Sequence, residues 1–267
     1  MLKKIMLLLL IIITMPFATA ISQEKLLKVA PIATRKIEAD CLIGYDSLDN
    51  LYYIKNEVLF KAQKEMLWYY KNNSLGKITR VDLQNPLQIV LFYENFNTVI
   101  LLDNQLNETL KINFSEIIVP LQVTATGIAS QNRLWVYNIL TQQMGLFDYL
   151  KNTYQAITPS IPGNIKWYGS NFNTFQWIDD TLNWYACTPF GKITLLGKIP
   201  DFEHVQITKD NEILYLKDKK LHLFNFQKNS RYPIEGIEKT FKNFYYRDQI
   251  LSIFTDQEIT NYQITIP

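Results

Sequence analysis

Cysteine, histidine and any marked excess of one charge are scarce in this 267-residue chain. It has two cysteines and two histidines, and its 27 Lys and Arg residues nearly balance 25 Asp and Glu residues. A near-neutral surface gives no long-range field for nucleic acid or an anionic membrane, so we exclude nucleic acid as a partner. Cys41 and Cys187 lie far apart, in no metal-binding spacing. Both sit in apolar alternating runs that favour buried free thiols, and a bridge between them is the alternative.

Long apolar runs are also missing, with one exception at the N-terminus. Lys3 and Lys4 precede the apolar run Ile5–Thr14, and Ala18–Ala20 then supplies the small residues that a signal peptidase reads. The run is about half the ~20 residues that a spanning helix needs. Residues 1–20 therefore predict a signal peptide cleaved after Ala20. We expect an exported protein, periplasmic, outer-membrane associated or secreted, with no transmembrane segment after cleavage.

A repeated β-hairpin pattern replaces helical periodicity after the signal segment. Each unit has a short apolar or aromatic run, a polar turn and a second apolar run. The first runs begin at residues 51, 90, 134, 175, 214 and 251, which gives gaps of 37 to 44 residues. About forty residues hold four short strands, which make one blade of a β-propeller. We predict one all-β domain over residues 21–267, a six-bladed β-propeller with four-stranded blades, in preference to a β-sandwich.

The two ends of the chain predict how the ring closes. The sixth unit stops at Pro267 after three strands, so its outermost strand is missing. Lys25–Glu38 is an extended segment that precedes the first inner strand and belongs to no other blade. We predict that this N-terminal segment pairs with Ile259–Ile266 and closes the last blade, which leaves no exposed edge at the termini.

Propeller geometry predicts which loops share a working face. The turns between second and third strands lie with the connections that enter each inner strand, and loops on a rigid scaffold are where function is usually placed. The entering connections are predicted at Ala39–Asp40, Thr124–Gly127, Gly163–Lys166, Asp201–His204 and Lys239–Asn243.

Catalytic motifs are absent, including the nucleophile elbow, the zincin helix and the phosphate-binding loop. His222 alternates with two leucines, which indicates a structural or surface histidine. His204 lies beside Asp201 and Glu203, but three ligands within four residues are geometrically awkward for one metal ion. We predict no catalytic residue, no metal and no cofactor, and the protein is more consistent with a binding module than an enzyme.

Aromatic side chains supply the clearest candidates for a binding surface. Tryptophan and tyrosine concentrate in the fourth unit, where packing between blades is the simplest explanation and Trp177 is expected in the core. Trp167 follows a turn, and Phe96 stands between two asparagines at a hairpin tip, where exposure indicates a partner. The predicted binding residues are Asn95, Phe96, Asn97, Asn164, Trp167, Asp201 and His204.

In repeat length and hairpin pattern the chain resembles six-bladed β-propellers of the broad NHL, YWTD and TolB-like type. No unit contains their Tyr-Trp-Thr-Asp strand or a Trp-Asp dipeptide. The segment Phe92–Asn104 and the abundance of Asn, Lys, Ile and Tyr are similar to secreted propellers of unassigned function from Bacteroidetes-type bacteria. This composition fits a bacterial source, and we expect a monomeric domain.

Three functions remain open from the sequence. The first is a non-enzymatic scaffold that docks a protein partner in the bacterial cell envelope. The second is implied by six-bladed propellers that are calcium-dependent lactonases or esterases, whose metal is held at the channel mouth by a glutamate and asparagines. This sequence offers the oxygen ligands Asp40, Asn164 and Asp201 at inner-strand entries, with no glutamate clearly placed among them. The third is a module that binds glycan or peptide through its aromatic loops.

Overall fold

A computed structural model describes residues 26–209, 212–237 and 240–264, so the predicted signal peptide lies outside the described residues. Within those ranges the chain forms 25 strands, numbered β1 to β25 in chain order, and one turn of 3-10 helix at Glu94–Phe96. The strands group into six sheets arranged as the blades of a β-propeller, which confirms the predicted fold and blade number. In the same ranges, no helix has the length and apolar character needed to cross a bilayer.

Each blade is an antiparallel meander that begins at the central channel. Blade 1 contains β3 (Cys41–Tyr45), β4 (Leu51–Lys55), β5 (Val58–Gln63) and β6 (Met66–Tyr70). Blade 2 contains β7 (Arg80–Asp82), β8 (Ile89–Tyr93), β9 (Thr98–Leu102) and β10 (Glu108–Asn113). Blade 3 contains β11 (Val123–Ala129), β12 (Arg133–Asn138), β13 (Gln143–Asp148) and β14 (Thr153–Ala156).

The other three blades follow the same order. Blade 4 contains β15 (Ile165–Ser170), β16 (Phe175–Asp179), β17 (Asn183–Cys187) and β18 (Ile193–Lys198). Blade 5 contains β19 (His204–Lys209), β20 (Glu212–Lys217), β21 (Lys220–Asn225) and β22 (Ser230–Glu235). Blade 6 contains β23 (Asn243–Arg247), β24 (Ile250–Phe254) and β25 (Glu258–Gln263). The N-terminal segment supplies β1 (Leu27–Lys28) and β2 (Ala30–Lys36).

Three hairpin turns are built on the same Asp-x-x-x-Asn pattern. They are Asp46–Asn50, Asp103–Asn107 and Asp179–Asn183. In the first, Asp46 Oδ1 accepts hydrogen bonds from the backbone N–H groups of Leu48 and Asn50 at 2.9 and 3.0 Å, and its Oδ2 accepts one from Asn50 Nδ2 at 2.8 Å. Local side-chain bonding of this kind stabilises a tight turn and competes with helix formation. The pattern therefore ends one strand and begins the next.

The ring closes at a seam between the two chain ends, as predicted. Strand β2 pairs antiparallel with β25 from Ala30↔Gln263 to Lys36↔Glu258, and it completes blade 6 as the outermost strand. The segment before it behaves differently, because β1 pairs in parallel with β22 and adds a fifth strand to blade 5. The N-terminal segment therefore joins two blades, whereas the sequence predicted one.

The hydrophobic core lies between neighbouring blades. Alternate side chains of each strand point to opposite sides of the sheet, so each blade contributes to two interfaces. Trp177 is buried in the interface between blades 3 and 4, which confirms its predicted core position. Cys41 and Cys187 are both free thiols, and burial raises the pKa of Cys187 to about 11.

Hydrogen bonds identify one face of the disc, which we call the entrance face because every inner strand begins there. The turn between β12 and β13 bonds to the connection entering β11 through Ile139 N–H and Gln122 O, at 2.9 Å. The turn after β16 bonds in the same way to the connection entering β15, through Asp180 N–H and Asn164 O at 3.1 Å. The predicted connection 124–127 is wrong, because these residues lie inside β11, which a bulge after Val123 lengthens toward the entrance face.

Candidate functional site

The central channel holds a cavity of about 760 Å³. Inner strands β3, β7, β15, β19 and β23 line it, together with the turns that follow several of them. The charged side chains in its lining are Arg80, Asp82 and Arg247, and no described histidine or cysteine reaches it. A concave polar space of this volume at the centre of a ring is the usual place for a small ligand.

Blade 3 is separated from this cavity by a group that we call the wall, formed by Asp82, Gly127, Ile128 and Ser170. The Asp82 carboxylate crosses from blade 2, and its Oδ2 accepts hydrogen bonds from Ile128 N–H at 2.8 Å and from the Ser170 hydroxyl at 3.3 Å. A Cβ at Gly127 would overlap the Ser170 hydroxyl and lie 2.8 Å from Asp82 Oδ2. Burial raises the pKa of Asp82, although backbone N–H donors partly oppose the shift.

Arg80 lies beside the wall at the entrance end of β7. Its guanidinium carbon is 4.2 Å from the ring centroid of Tyr168 on blade 4, which is a cation–π contact. The Tyr168 ring in turn stacks on Phe175 at 5.6 Å and 13°. A second stacked pair, Trp177 and Tyr185, continues the row outward at 5.2 Å and 16°. The aromatic density of the fourth unit therefore serves packing, and it also holds one arginine at the cavity.

The opposite side of the channel is sealed by amide side chains. Gln206 Nε2 donates to Tyr246 O at 2.6 Å, and Gln206 Oε1 accepts from Tyr246 N–H at 2.8 Å, which joins blades 5 and 6. Asn243 Nδ2 donates to Leu42 O at 2.8 Å and joins blades 6 and 1. These side chains satisfy inner-strand backbone groups that have no strand beside them.

The predicted residues Asn95, Phe96 and Asn97 lie in the turn between β8 and β9 on the entrance face. Asn95 and Phe96 are exposed, but Asn97 is buried in a left-handed conformation with φ of 49°. Asn97 Nδ2 donates to Leu121 O at 2.6 Å and its Oδ1 accepts from Val123 N–H at 2.9 Å. The structure therefore gives Asn97 a role in fixing the neighbouring connection.

That connection and the next turn carry three exposed apolar side chains that the sequence interpretation missed. We call the resulting group the apolar patch; it consists of Phe96, Ile118, Val119 and Leu140. These side chains are 49, 83, 67 and 75% exposed, respectively. An Ile-Val-Pro run in a connecting loop was the signal, because apolar residues there have no strand face to pack on.

Asn164 and Trp167 lie close together in sequence but face different surroundings. Asn164 is exposed on the entrance face, where its Nδ2 donates to Asp180 Oδ2 at 3.3 Å. Trp167 is half-buried and lines the cavity, with its ring folded 2.8 Å from the position that a Cβ on Gly169 would take. Trp167 was predicted as exposed, and the part of its side chain that is exposed faces the channel.

Asp201 and His204 lie at the start of blade 5 on the entrance face. Asp201 accepts hydrogen bonds from Lys166 at 2.7 Å and Lys217 at 2.6 Å, and these two ammonium groups hold the pKa of the carboxyl well below its usual range. His204 is exposed. Among the described residues, no three His, Cys, Asp or Glu side chains are grouped to hold a metal.

His222 is buried on β21, away from the cavity. Its ring stacks on Tyr215 at 5.2 Å, and Arg231 Nη2 lies 2.8 Å from its Nε2. Burial, helped by the adjacent Arg231 guanidinium, lowers the pKa of His222 to about 4. This environment keeps the ring neutral, in a structural position.

Comparison by sequence finds no matching protein family and no matching curated protein. Comparison by structure finds similar propellers at low identity. Virginiamycin B lyase from Staphylococcus aureus is 11% identical with a TM-score of 0.56, over 84% of this chain and 80% of that chain. A protein of unknown function from Bacteroides thetaiotaomicron is 13% identical with a TM-score of 0.57, over 91% of this chain and 73% of that chain. A chain of the mitotic checkpoint complex is 9% identical with a TM-score of 0.55, over 89% and 95%.

These similarities establish the propeller fold and nothing finer. A histidine-to-alanine variant of the lyase is catalytically inactive. In the present chain, the buried histidine is bonded to an arginine and the exposed one lies on the rim of the entrance face, outside the cavity lining. Similar propellers thus include both an enzyme and a member of a protein assembly.

Proposed function

We propose that this protein is an exported, non-enzymatic β-propeller that docks a protein partner in the bacterial cell envelope. The apolar patch on the entrance face carries the proposal. Four large apolar side chains lie exposed on loops of one face that are hydrogen-bonded to one another, and apolar exposure of this kind is typical of a docking site. Export is supported by the signal pattern in residues 1–20.

The loops under the apolar patch are held in place before any partner arrives. Asn97 bonds the Phe96 turn to the connection that carries Ile118 and Val119, and Ile139 N–H bonds the Leu140 turn to the same connection. Ordered apolar anchors lose little conformational entropy on binding, which favours affinity. The propeller in the mitotic checkpoint complex likewise works within an assembly of proteins.

A calcium-dependent hydrolase has less support, because its three candidate ligands are engaged elsewhere. Asp40 Oδ2 accepts from Asn56 N–H at 2.6 Å, Asn164 bonds to Asp180, and Asp201 binds two lysines. Binding a metal through Asp40 Oδ2 or through the Asp201 oxygens would break the contacts of those two carboxylates.

Photo-crosslinking in intact cells tests the docking proposal. A benzophenone amino acid placed at Phe96 is expected to form a discrete adduct with one envelope protein. The same probe at Phe190, which is 95% exposed in the turn between β17 and β18, is the matched control and is expected to form none. Val119→Asp should abolish the adduct from position 96. Equal labelling from both positions, or an adduct that survives the Val119 change, would contradict the proposal.

A further inference from the structure

We propose that the central cavity binds a small polar molecule that carries a carboxylate or phosphate group, and that Arg80 recognises this oxyanion. This is a second site, separate from the apolar patch. Arg80 and Trp167 both line the cavity near the entrance ends of their strands, so a ligand would enter from that face.

The Arg80 guanidinium has its donors available. The Tyr168 ring lies against it at 4.2 Å, and in the parts of the chain that the structure describes no hydrogen bond or ion pair engages its N–H groups. A guanidinium presents five donors in a planar fork that matches carboxylate and phosphate oxygens, and stacking on an aromatic ring leaves that fork accessible. The side chain is therefore preorganised toward the cavity.

Nearby carboxylates do not neutralise this cation by contact. Asp82 accepts hydrogen bonds from Ile128 N–H, Gln84 N–H and the Ser170 hydroxyl, and neither it nor Glu94 forms an ion pair with Arg80 within the described ranges. Arg247, the other arginine of the lining, differs in this respect. It forms ion pairs with Asp49 and with Asp248. Among the described residues Arg80 is thus the arginine of this lining that forms no ion pair, although the charge of the Asp82 carboxylate acts on it from nearby.

The cavity sets the size and the polarity of the ligand. About 760 Å³ accommodates a molecule of sugar size or somewhat larger. Trp167 adds part of an aromatic surface, and its ring also packs against the core between blades 4 and 5. Aromatic rings with a few polar donors are common in sites for small polar ligands. We therefore infer a compact hydroxylated molecule with one anionic group.

Calorimetric titration of the mature protein tests this site with glucuronate, glucose 6-phosphate and neutral glucose. We expect at least one anionic probe to bind with a Kd on the order of 1 mM or tighter and glucose to bind far more weakly. Arg80→Gln should weaken binding about tenfold or more, because charge-assisted hydrogen bonds are lost. Arg80→Lys keeps the charge but loses the fork, and should retain part of the affinity. Arg35→Gln on the exposed strand β2 changes net charge equally and should have no effect.

Each result bears on the proposal. Preference for glucuronate or for glucose 6-phosphate distinguishes a carboxylate ligand from a phosphate ligand. The proposal is overturned if no probe binds, if glucose binds as well as the anions, or if Arg80→Gln and Arg35→Gln have the same affinity for the anionic probes. Circular dichroism and thermal unfolding confirm that each variant is folded. If Arg80→Gln does not fold, Arg80→Lys still tests the role of the guanidinium. Crosslinking at Phe96 does not depend on this outcome.

Discussion

The seam and the wall both complete the ring, but they do so by opposite physical means. At the seam, every residue of β2 is exposed, and the strand is held by backbone pairing with β25. At the wall, a part-buried carboxylate from blade 2 bonds to blades 3 and 4 across a glycine that leaves no room for a side chain. One closure depends on an exposed main chain, and the other depends on hydrogen bonds between part-buried side-chain and backbone groups.

This difference predicts where the molecule tolerates change. Side chains along β2 contribute little burial, so their identity matters less than the presence of an extended strand. The polar atoms of the wall are part-buried and bonded to one another, and leaving one unpaired there costs about 1–3 kcal/mol. Deleting the backbone of the seam should therefore destabilise the protein, whereas changing its side chains should not. At the wall, the loss or addition of a single side-chain group should change the stability.

The largest effect is expected from deleting residues 21–38. This change removes β1 and β2, exposes the edge of β25 and opens the ring, so we expect loss of a cooperative thermal unfolding transition in circular dichroism. Adding a synthetic peptide of residues 26–38 should restore part of the transition. A truncated chain that unfolds cooperatively at the full-length temperature would show that the seam does not hold the ring.

The seam could be predicted from the sequence, and the wall could not. Each blade hairpin is a local pattern, and a missing sixth outer strand beside an unassigned N-terminal segment indicates closure directly. Asp82 and Ser170 are 88 positions apart in the sequence, and they meet only because Gly127 of a third blade lies between them. Nothing in their local sequence indicates that contact. Strand β1 was missed because two paired residues carry no periodicity.

The candidate sites likewise contain some residues that could be predicted from local sequence and others that could not. Phe96 was predicted as exposed because an aromatic between two asparagines has no local packing explanation. Ile118 and Leu140 join it only through the hydrogen bonds of Asn97 and Ile139, which are tertiary contacts. Arg80 was not predicted, since its partner Tyr168 lies two blades along the chain and the two residues meet only in the folded ring.

A second effect is expected from the carboxylate of the wall. Asp82→Ala should destabilise the protein by roughly 2–4 kcal/mol in denaturant titrations, because two backbone N–H groups and one hydroxyl lose their acceptor. Ser47→Ala, at the exposed end of the channel lining, is the control and should have little effect. Equal stability of Asp82→Ala and the control would show that the wall is dispensable.

The same carboxylate predicts a pH dependence. Burial raises the pKa of Asp82 in the folded protein above the unfolded value of 3.8, so the folded state binds the proton more tightly. Its stabilising contribution is full below pH 3.8 and is lost as pH rises through the raised folded pKa. In Asp82→Asn this decline should disappear, so the difference in unfolding free energy between the two proteins should change with pH across that window. A constant difference would contradict the assignment.

A third effect is expected from filling the space at the centre of the wall. Gly127→Ala places a methyl group against Ser170 and Asp82, and overpacking of this kind costs about 1–3 kcal/mol. Because the nearest obstacle is the Ser170 hydroxyl, Gly127→Ala combined with Ser170→Ala should be less destabilised than the sum of the single variants. Denaturant titration of the wild type, the two single variants and the double variant measures the coupling. If the changes in unfolding free energy are strictly additive, the Ser170 hydroxyl is not the obstacle.

The smallest effect is expected at the seam itself, from Ile32→Ser on β2. Ile32 is 54% exposed, and exposed substitutions away from special contacts usually change stability by less than about 0.5 kcal/mol. A similar result is expected for Ala33→Ser, since β2 offers its main chain rather than its side chains. Both are measured against the wild-type denaturation midpoint. A loss above about 1 kcal/mol for Ile32→Ser, well outside that range, would mean that the seam relies on side-chain burial as the wall does, and the contrast between the two closures would fail.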